Sequence, residues 1–410
     1  MNQNIRKTVL SNGLVVVSET ITTARSVSIG VWVKTGSRYE HKKNNGVAHF
    51  IEHLVFKGTR KRSALQIARS LEDLGGNLNA YTSKELTHFY ATALDNHLAT
   101  CVNVLADLVC NPLFREKDVE KEKQVVIEEI NAVKDSPEEY IYDVFQEKLF
   151  PDHPLGYPIL GSPQSLAALT RHAVWEFWKS YYAPQNMIVS AAGNLQHETL
   201  VRLVEKHFGC ANTLHLRRLH KPKPAYGVQA EISETFNQTH ILVGIDSVPY
   251  AAAQRYEMAA LNAYLGGGMS SRLFQVLREQ HGLAYTVYSA ADFFKDTGIF
   301  SVYVATDERN RKKTLDLLFK EIRKVTENPI RESDMKRIRE QLKGSLLLGL
   351  ENVSHRMARL AKNEIYFGRQ ISIDETIRRV QQLNPQKLLE LAENIFKMEK
   401  FNIIQMRSDA

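Results

Sequence analysis

The chain has 410 residues, of which 43% are hydrophobic and 24% charged, and a formal net charge of +7. That length exceeds the usual single domain, so two or more domains are expected. The sequence has no apolar run long enough to span a bilayer, and its basic excess is spread along the chain, so neither a membrane span nor a nucleic-acid partner is expected.

Taken in chain order, the N-terminal "MNQNIRKTVLSNGLVVVSET" reads as strand, turn at Ser11-Asn12-Gly13, and strand, rather than as a secretory signal. "SVSIGVWVKTGS" alternates as a strand. Gly46 to Lys57 is predicted helical. Ser63 with Gln66 forms a capping box for a helix that runs to Leu74 and stops at Gly75-Gly76. "NLNAYTS" and "THFYATAL" read as a hairpin. "SPEEYIYDVF" opens a helix with Ser136 as N-cap and Pro137 at the first position. Cys101, Cys110 and Cys210 are odd in number and form no CxxC pair. They argue against a disulfide framework and for a reducing compartment, and the cytoplasm is the expected location.

Two stretches recur at one spacing. "NPLFREKDVEKEKQVV" starts at Asn111 and "NPIRESDMKRIREQL" at Asn328, an offset of 217; each puts Asn-Pro after an amphipathic helix and an acidic N-cap before a charged one. "APQNMIVSAAGN" around Asn186 resembles "MEKFNIIQMRSD" around Asn402, an offset of 216. This pairing at nearly one offset suggests a duplicated unit of about two hundred residues, with chance similarity between two α+β domains as the alternative. The expected division is an α+β domain at 1–215, a linker at 216–228 where Pro222 and Pro224 break regular structure, and a homologous α+β domain at 229–410. Each is expected to build a mostly antiparallel or mixed sheet with helices packed on it.

The stretch "HFIEH" holds His49 and His53 four residues apart, with Glu52 between them. On a helix, positions i and i+4 share a face, so both imidazoles can address one metal ion. A catalytic zinc takes three protein ligands and keeps one position for water, whose proton a nearby carboxylate can accept. Glu52 fits that carboxylate. A solvated helix with incidental His and Glu fits the same pattern. A third ligand is sought on a helix with a buried stripe, and "KEKQVVIEEINAV" offers one. Val125, Val126 and Ile130 are expected to face the core. Glu122 and Glu129, seven apart, share a side, while Glu128 points about 100° away from Glu129. Glu129 would then ligate and Glu122 would orient a histidine through its other N–H. Two solvated glutamates fit the same periodicity.

Beyond these motifs, "GVAHFIEHLVFKGT", "LEDLGGNLNAYTSKELTHFYA", "EKEKQVVIEEI", "HPLGYPILGSPQSL", "YYAPQNMIVSAAGN" and "LGGGMSSRLFQVLREQHGLAYTVYS" occur in order along the chain. They resemble the pitrilysin-type metallopeptidases, the inverted zincins with H-x-x-E-H and a distant Glu. Within that family they are similar to the branch of the mitochondrial processing peptidase beta subunit and its bacterial single-chain relatives. The resemblance implies two homologous domains facing each other as a clam shell, one Zn2+ per chain, and cleavage of unfolded peptides or presequence-like segments.

Residue by residue, it implies that His49, His53 and Glu129 bind zinc, that Glu52 is the general base, and that Glu122 orients a ligand. Phe56 would line the pocket for the apolar side chain after the cut, and Asn79 and Ala80 would pair with an extended substrate. Tyr285 would hydrogen-bond the oxyanion and Arg278 the substrate backbone, while Glu139 and Asp143 would read an Arg upstream of the cut. The second half carries "YLGGGMSS" where the first has its histidines, so no second zinc is expected. Gly266, Gly267 and Gly268 form only a short glycine turn, unlike the long loop of the non-catalytic processing-peptidase subunit. A homodimer is the expected assembly, with a heterodimer as its alternative. A catalytically silent scaffold subunit is the competing function.

Overall fold

The computed structural model describes residues 4–210, 212–214, 219–234 and 236–408. The first three residues and 216–218 of the expected linker lie outside them. The first half forms β1 (Ile5–Val9), β2 (Val15–Thr20), β3 (Ser26–Val33), α1 (Val47–Val55), α2 (Ala64–Glu72), β4 (Asn77–Thr82), β5 (Thr87–Leu94), α3 (Leu98–Cys110), α4 (Glu116–Lys134), α5 (Pro137–Leu149), α6 (Pro163–Ala168), α7 (Arg171–Tyr181), β6 (Met187–Gly193) and α8 (His197–His207). The second forms β7 (Gln229–Glu234), β8 (Thr239–Ser247), α9 (Arg255–Gly266), β9 (Ala284–Phe293), β10 (Gly298–Thr306), α10 (Arg311–Glu327), α11 (Glu332–Gly349), α12 (Val353–Phe367), α13 (Ile373–Gln381), α14 (Pro385–Ile395) and β11 (Asn402–Ser408).

Both sheets are mixed, and they share one plan. The first runs β1-β2-β6-β3-β5-β4 and the second β7-β11-β8-β10-β9. In the first, β2 and β6 are parallel, and β6, β3, β5 and β4 follow antiparallel. In the second, β7 and β11 are parallel, and β11, β8, β10 and β9 follow antiparallel. The five strands from β2 to β4 therefore match β7 to β9 in order and direction, with β1 an addition made by the turn at Gly13. The asparagines that flagged the repeat are both buried at the start of equivalent strands, but they bond different segments. Asn186 is 2% exposed and donates to the Tyr181 carbonyl at 2.9 Å; Asn402 is 0% exposed and donates to the Ala225 carbonyl at 2.8 Å. Asn186 ties β6 to the end of α7, and Asn402 ties β11 to the segment before β7, each by satisfying a backbone carbonyl.

The compact units do not follow the expected contiguous division. One comprises residues 1–131, 157–219 and 348–372; the other comprises 132–156, 220–347 and 373–410. The exchanged pieces are α5 and α12, which begin at residues 137 and 353, 216 apart, so they are the same helix of the repeat. In the first unit, Met357, Leu360 and Ala361 of α12 pack on Val17, Trp32, Ile188 and Ala192 of the sheet. In the second, Ile141, Val144 and Phe145 of α5 pack on Leu242, Tyr303 and Ile404. This exchange explains β3. Strict alternation was expected of it, yet Val27 to Val33 are all buried, because Val27, Ile29, Val31 and Val33 face the main core while Trp32 lies under α12.

Two further expectations are corrected. Val125 is 38% exposed, and the buried stripe of α4 is Val119, Glu122, Val126 and Ile130. Val125 lies four residues before Glu129, whose side chain is 41% exposed, and on that face rather than with Val126 and Ile130. The acidic residues expected as N-caps stand instead inside the first turns, as Glu116 and Asp118 of α4 and Glu332 and Asp334 of α11, where they complement the helix dipole equally well.

Cysteine count also misled. Cys110, the last residue of α3, is bonded to Cys210 beyond α8, with Cα atoms 5.2 Å apart, and Cys101 is free and buried. A count tests for a framework, not for one bridge between two packed helix ends, and it no longer speaks for a reducing compartment. The bridge closes a loop of sequence separation 100. Replacing Cys210 by Ser is expected to lower unfolding stability by about 2–5 kcal/mol. Urea unfolding with and without reductant checks this, and reductant should add nothing to the variant. Among the described residues no helix is long and apolar enough to cross a membrane.

Candidate metal centre

The sequence around α1 forces its start. Gly46 is the N-cap at φ 95°, a left-handed conformation that suits glycine, and a Cβ there would stand 2.6 Å from the Leu160 carbonyl oxygen. From that point the apolar residues Val47, Phe50, Ile51, Leu54 and Val55 are buried. His49 and His53 are left on the remaining face, with side chains 12% and 18% exposed. Their rings lie 4.5 Å apart between centroids.

α4 supplies the acidic partners. Glu129 Oε2 lies 3.9 Å from His49 Nε2 and 3.5 Å from His53 Nε2. One ligand atom from each of these three residues lies within 4.8 Å of the others, and they are the one such group among the described residues. Ligand atoms bonded to one zinc at about 2.0–2.1 Å in a tetrahedron stand about 3.4 Å apart. The three side chains therefore fit a zinc ion, and the contacts are too long to be good hydrogen bonds among themselves. Glu129 is 41% exposed at its side chain, which leaves a route for water. Glu128, the neighbour, is exposed and accepts from Gln124 at 2.9 Å, away from the histidines.

Glu122 is 2% exposed, and its Oε1 meets His53 Nδ1 at 2.9 Å. With Nδ1–H donating there, Nε2 is the free nitrogen, and it is the one turned to Glu129. Two residues not singled out in the sequence complete the shell. Lys57 Nζ stands 2.8 Å from the other oxygen of Glu122, offsetting the cost of a buried carboxylate. Thr82, the last residue of β4, donates to Glu52 Oε2 at 2.5 Å and fixes the carboxylate beside the histidines. Lys57 was within reach of helical spacing, four residues past His53; Thr82 depends on how the edge strand crosses the helix and left no local signal.

Electrostatics sort the three groups of "HFIEH". Burial, then neighbouring His53, lowers His49 to about 3, so it stays neutral and able to ligate. Burial also pulls on His53, but its hydrogen bond to Glu122 and the charges of Glu129, Glu122 and Glu52 outweigh it and raise the pKa. Glu52 is raised by burial, with Glu129 adding to the rise, and opposed by the Thr82 hydrogen bond and His53. A carboxyl held above its ordinary range is a better proton acceptor at neutral pH than a solvated one.

The remaining predicted residues fall in two places. In the first unit, Phe56 caps α1 and is half-buried against Ile67, Val104, Leu108 and Leu78. Asn79 and Ala80 lie on β4, the edge of the sheet, and the Ala80 N–H is held by the Asn79 side chain at 2.8 Å. In the second unit, the Arg278 guanidinium lies 4.8 Å from the ring centroid of Tyr285 and 4.8 Å from that of Phe274. Tyr285 is 73% exposed on β9, itself an edge strand. Glu139 is exposed in the first turn of α5 and Asp143 is half-buried one turn on. Ser136 caps α5 through its backbone alone, so no capping box occupies Glu139.

Known proteins resemble this chain in sequence and fold. Residues 15–163 match the family description "Insulinase (Peptidase family M16)", and residues 168–342 match "Peptidase M16 inactive domain". A Mycobacterium tuberculosis protein named as an uncharacterized zinc protease is 40% identical over 396 residues, covering 95% of this chain and 90% of its own length. The chain belongs to peptidase family M16. A second M16 relative, the uncharacterized zinc protease YmxG of Bacillus subtilis, is 36% identical over 398 residues, 96% of each chain. In fold, a protease from Helicobacter pylori superposes with a TM-score of 0.91 at 23% identity over 99% of both chains. A structure from Pseudomonas fluorescens titled as a peptidase M16 inactive domain gives 0.93 at 18% identity, again over 99% of both. The metal-site residues of this M16 chain all lie within the first matched segment, and Arg278 and Tyr285 lie within the second.

Proposed function

We infer that the protein is a zinc-dependent endopeptidase of the processing-peptidase type that cleaves unfolded peptides. The observation that carries this is the single such cluster among the described residues, His49, His53 and Glu129, with Glu52 beside it. Membership of family M16 and the two relatives named as zinc proteases support it. His49 and His53 would hold the ion through Nε2, and Glu129 through a carboxylate oxygen. When bound, zinc supplies Lewis acidity toward the scissile carbonyl and makes a water more acidic.

The chain's own groups do the rest. Glu52, held by Thr82, takes a proton from the attacking water and passes it to the leaving amine. Glu122 and Lys57 keep the His53 ring turned. An extended substrate would add to the β4 edge, displacing the Asn79 side chain from the Ala80 N–H. Phe56 is assigned to the apolar residue after the cut. Tyr285 is assigned to the developing oxyanion and Arg278 to the substrate backbone. A silent scaffold subunit would have no need of the ligands and the base together, and all four are present.

Incubating the purified chain with a mixed peptide library, with and without chelator, tests this reading by mass spectrometry of the products. Cleavage that stops on chelation while the fold persists is expected. Unfolding on chelation would instead mark a structural zinc site. Glu139 and Asp143 are further assigned to an Arg upstream of the cut. Glu139→Gln with Asp143→Asn should then lower kcat/KM for Arg-containing peptides by about tenfold and leave Arg-free peptides unchanged. Equal kcat/KM ratios for both peptide sets would remove that assignment.

A further inference from the structure

The helix that carries both histidines has a start that cannot cap itself. α1 is only nine residues long, and helices this short are marginal without tertiary support. Its first N–H groups have no partner within the helix. An ordinary N-cap solves this with a Ser, Thr, Asp or Asn side chain. Gly46 has no side chain, and its positive φ and the crowding against Leu160 and Gly161 forbid one.

The missing acceptor comes from six residues upstream. Glu40 Oε2 accepts from the Gly46 N–H at 2.7 Å and from the Asn45 side-chain amide at 2.8 Å. Its Oε1 accepts from the Ala48 N–H at 2.8 Å. The carboxylate therefore bridges the first turn with both oxygens, at the end of the helix where an anion is stabilised by the dipole. Glu40 is 0% exposed. Burial pushes its carboxyl up to about 7, against the three donors and Lys84, which favour the charged form. A fully buried acid is costly, and here both of its oxygens reach the start of the helix whose third residue is His49.

We propose that Glu40 is a positioning residue for the metal centre, its carboxylate capping α1 from outside so that His49 is held in place to ligate. This rests on the assignment of His49 as a zinc ligand. His53 has Glu122 to orient it, whereas His49 Nδ1 has no hydrogen-bond partner among the described residues. His49 thus depends on the backbone of the first turn for its orientation. Fraying of that turn would move His49 before it moves His53, because helix ends open first.

The test compares the full chain with Glu40→Gln, which keeps the volume but turns an N–H2 toward one of the backbone donors. Hydrogen exchange of the metal-free proteins reads the cap by itself. Faster exchange in peptides covering 44–52, with peptides covering β6 unchanged, is expected. Zinc binding, read by competition with a chromophoric chelator, should weaken about tenfold, and excess zinc should restore peptide cleavage. Unchanged exchange in 44–52, or an unchanged zinc dissociation constant, would overturn the proposal. A parent protein that binds no zinc would overturn the metal assignment instead, while the exchange result would still judge the cap. Should Glu40→Gln fail to fold, exchange in the parent decides. The Ala48 amide must then be protected in metal-free protein, and exchange there at the rate of an open chain refutes the cap.

Discussion

Glu52→Gln is expected to bind zinc as the parent does and to lose about 10²–10⁴-fold in kcat. Its amide can still accept from Thr82 Oγ1, as the Glu52 carboxylate does at 2.5 Å, so the local fold is kept. What disappears is the ability to take a proton. The proposed ligand atoms belong to His49, His53 and Glu129, so metal content is expected to stay at one per chain. The measurement is a pair: zinc per chain by elemental analysis and kcat on a peptide found in the library. Wild-type turnover with bound zinc would show that another group serves as the base. Lost turnover together with lost zinc would show that Glu52 ligates.

Glu129→Gln should do the reverse, removing zinc while leaving the protein folded. The neutral amide is a poor ligand for the ion, so the dissociation constant should rise by more than the about 10–100-fold typical of losing a partner outside the ligand set. Side-chain exposure of 41% at Glu129 means that no core is disturbed, and thermal stability of the metal-free forms should agree within about 0.5 kcal/mol. Chelator competition and thermal unfolding check both halves. The same substitution at Glu128, which faces Gln124, should leave zinc affinity untouched.

These two residues also show how the site could be read before the fold was known. Helical spacing lets His49, Glu52 and His53 share a face, and the seven-residue register with Glu122 separates Glu129 from Glu128, but both patterns also fit solvated side chains, and the roles came from the family resemblance. The duplication was legible because Asn186 and Asn402 open strands that hold the same place in the two sheets. What sequence could not show was where each half's helix would pack. The α5 and α12 patterns record an apolar face, not the sheet that face meets, so the exchange between units and the double burial of β3 were invisible. Val125 was misassigned for the same reason: apolar character places a residue on a helix but not against a neighbour. Thr82, Lys57 and the Cys110–Cys210 bridge likewise depend on elements far apart in the chain.

Zinc titration of the chelated, metal-free chain, with peptide cleavage as the readout, bears most directly on the account. Cleavage should rise in proportion to added zinc and level off at one equivalent, the capacity of the His49, His53 and Glu129 cluster. Full cleavage before any zinc is added, or none at one equivalent, would contradict it.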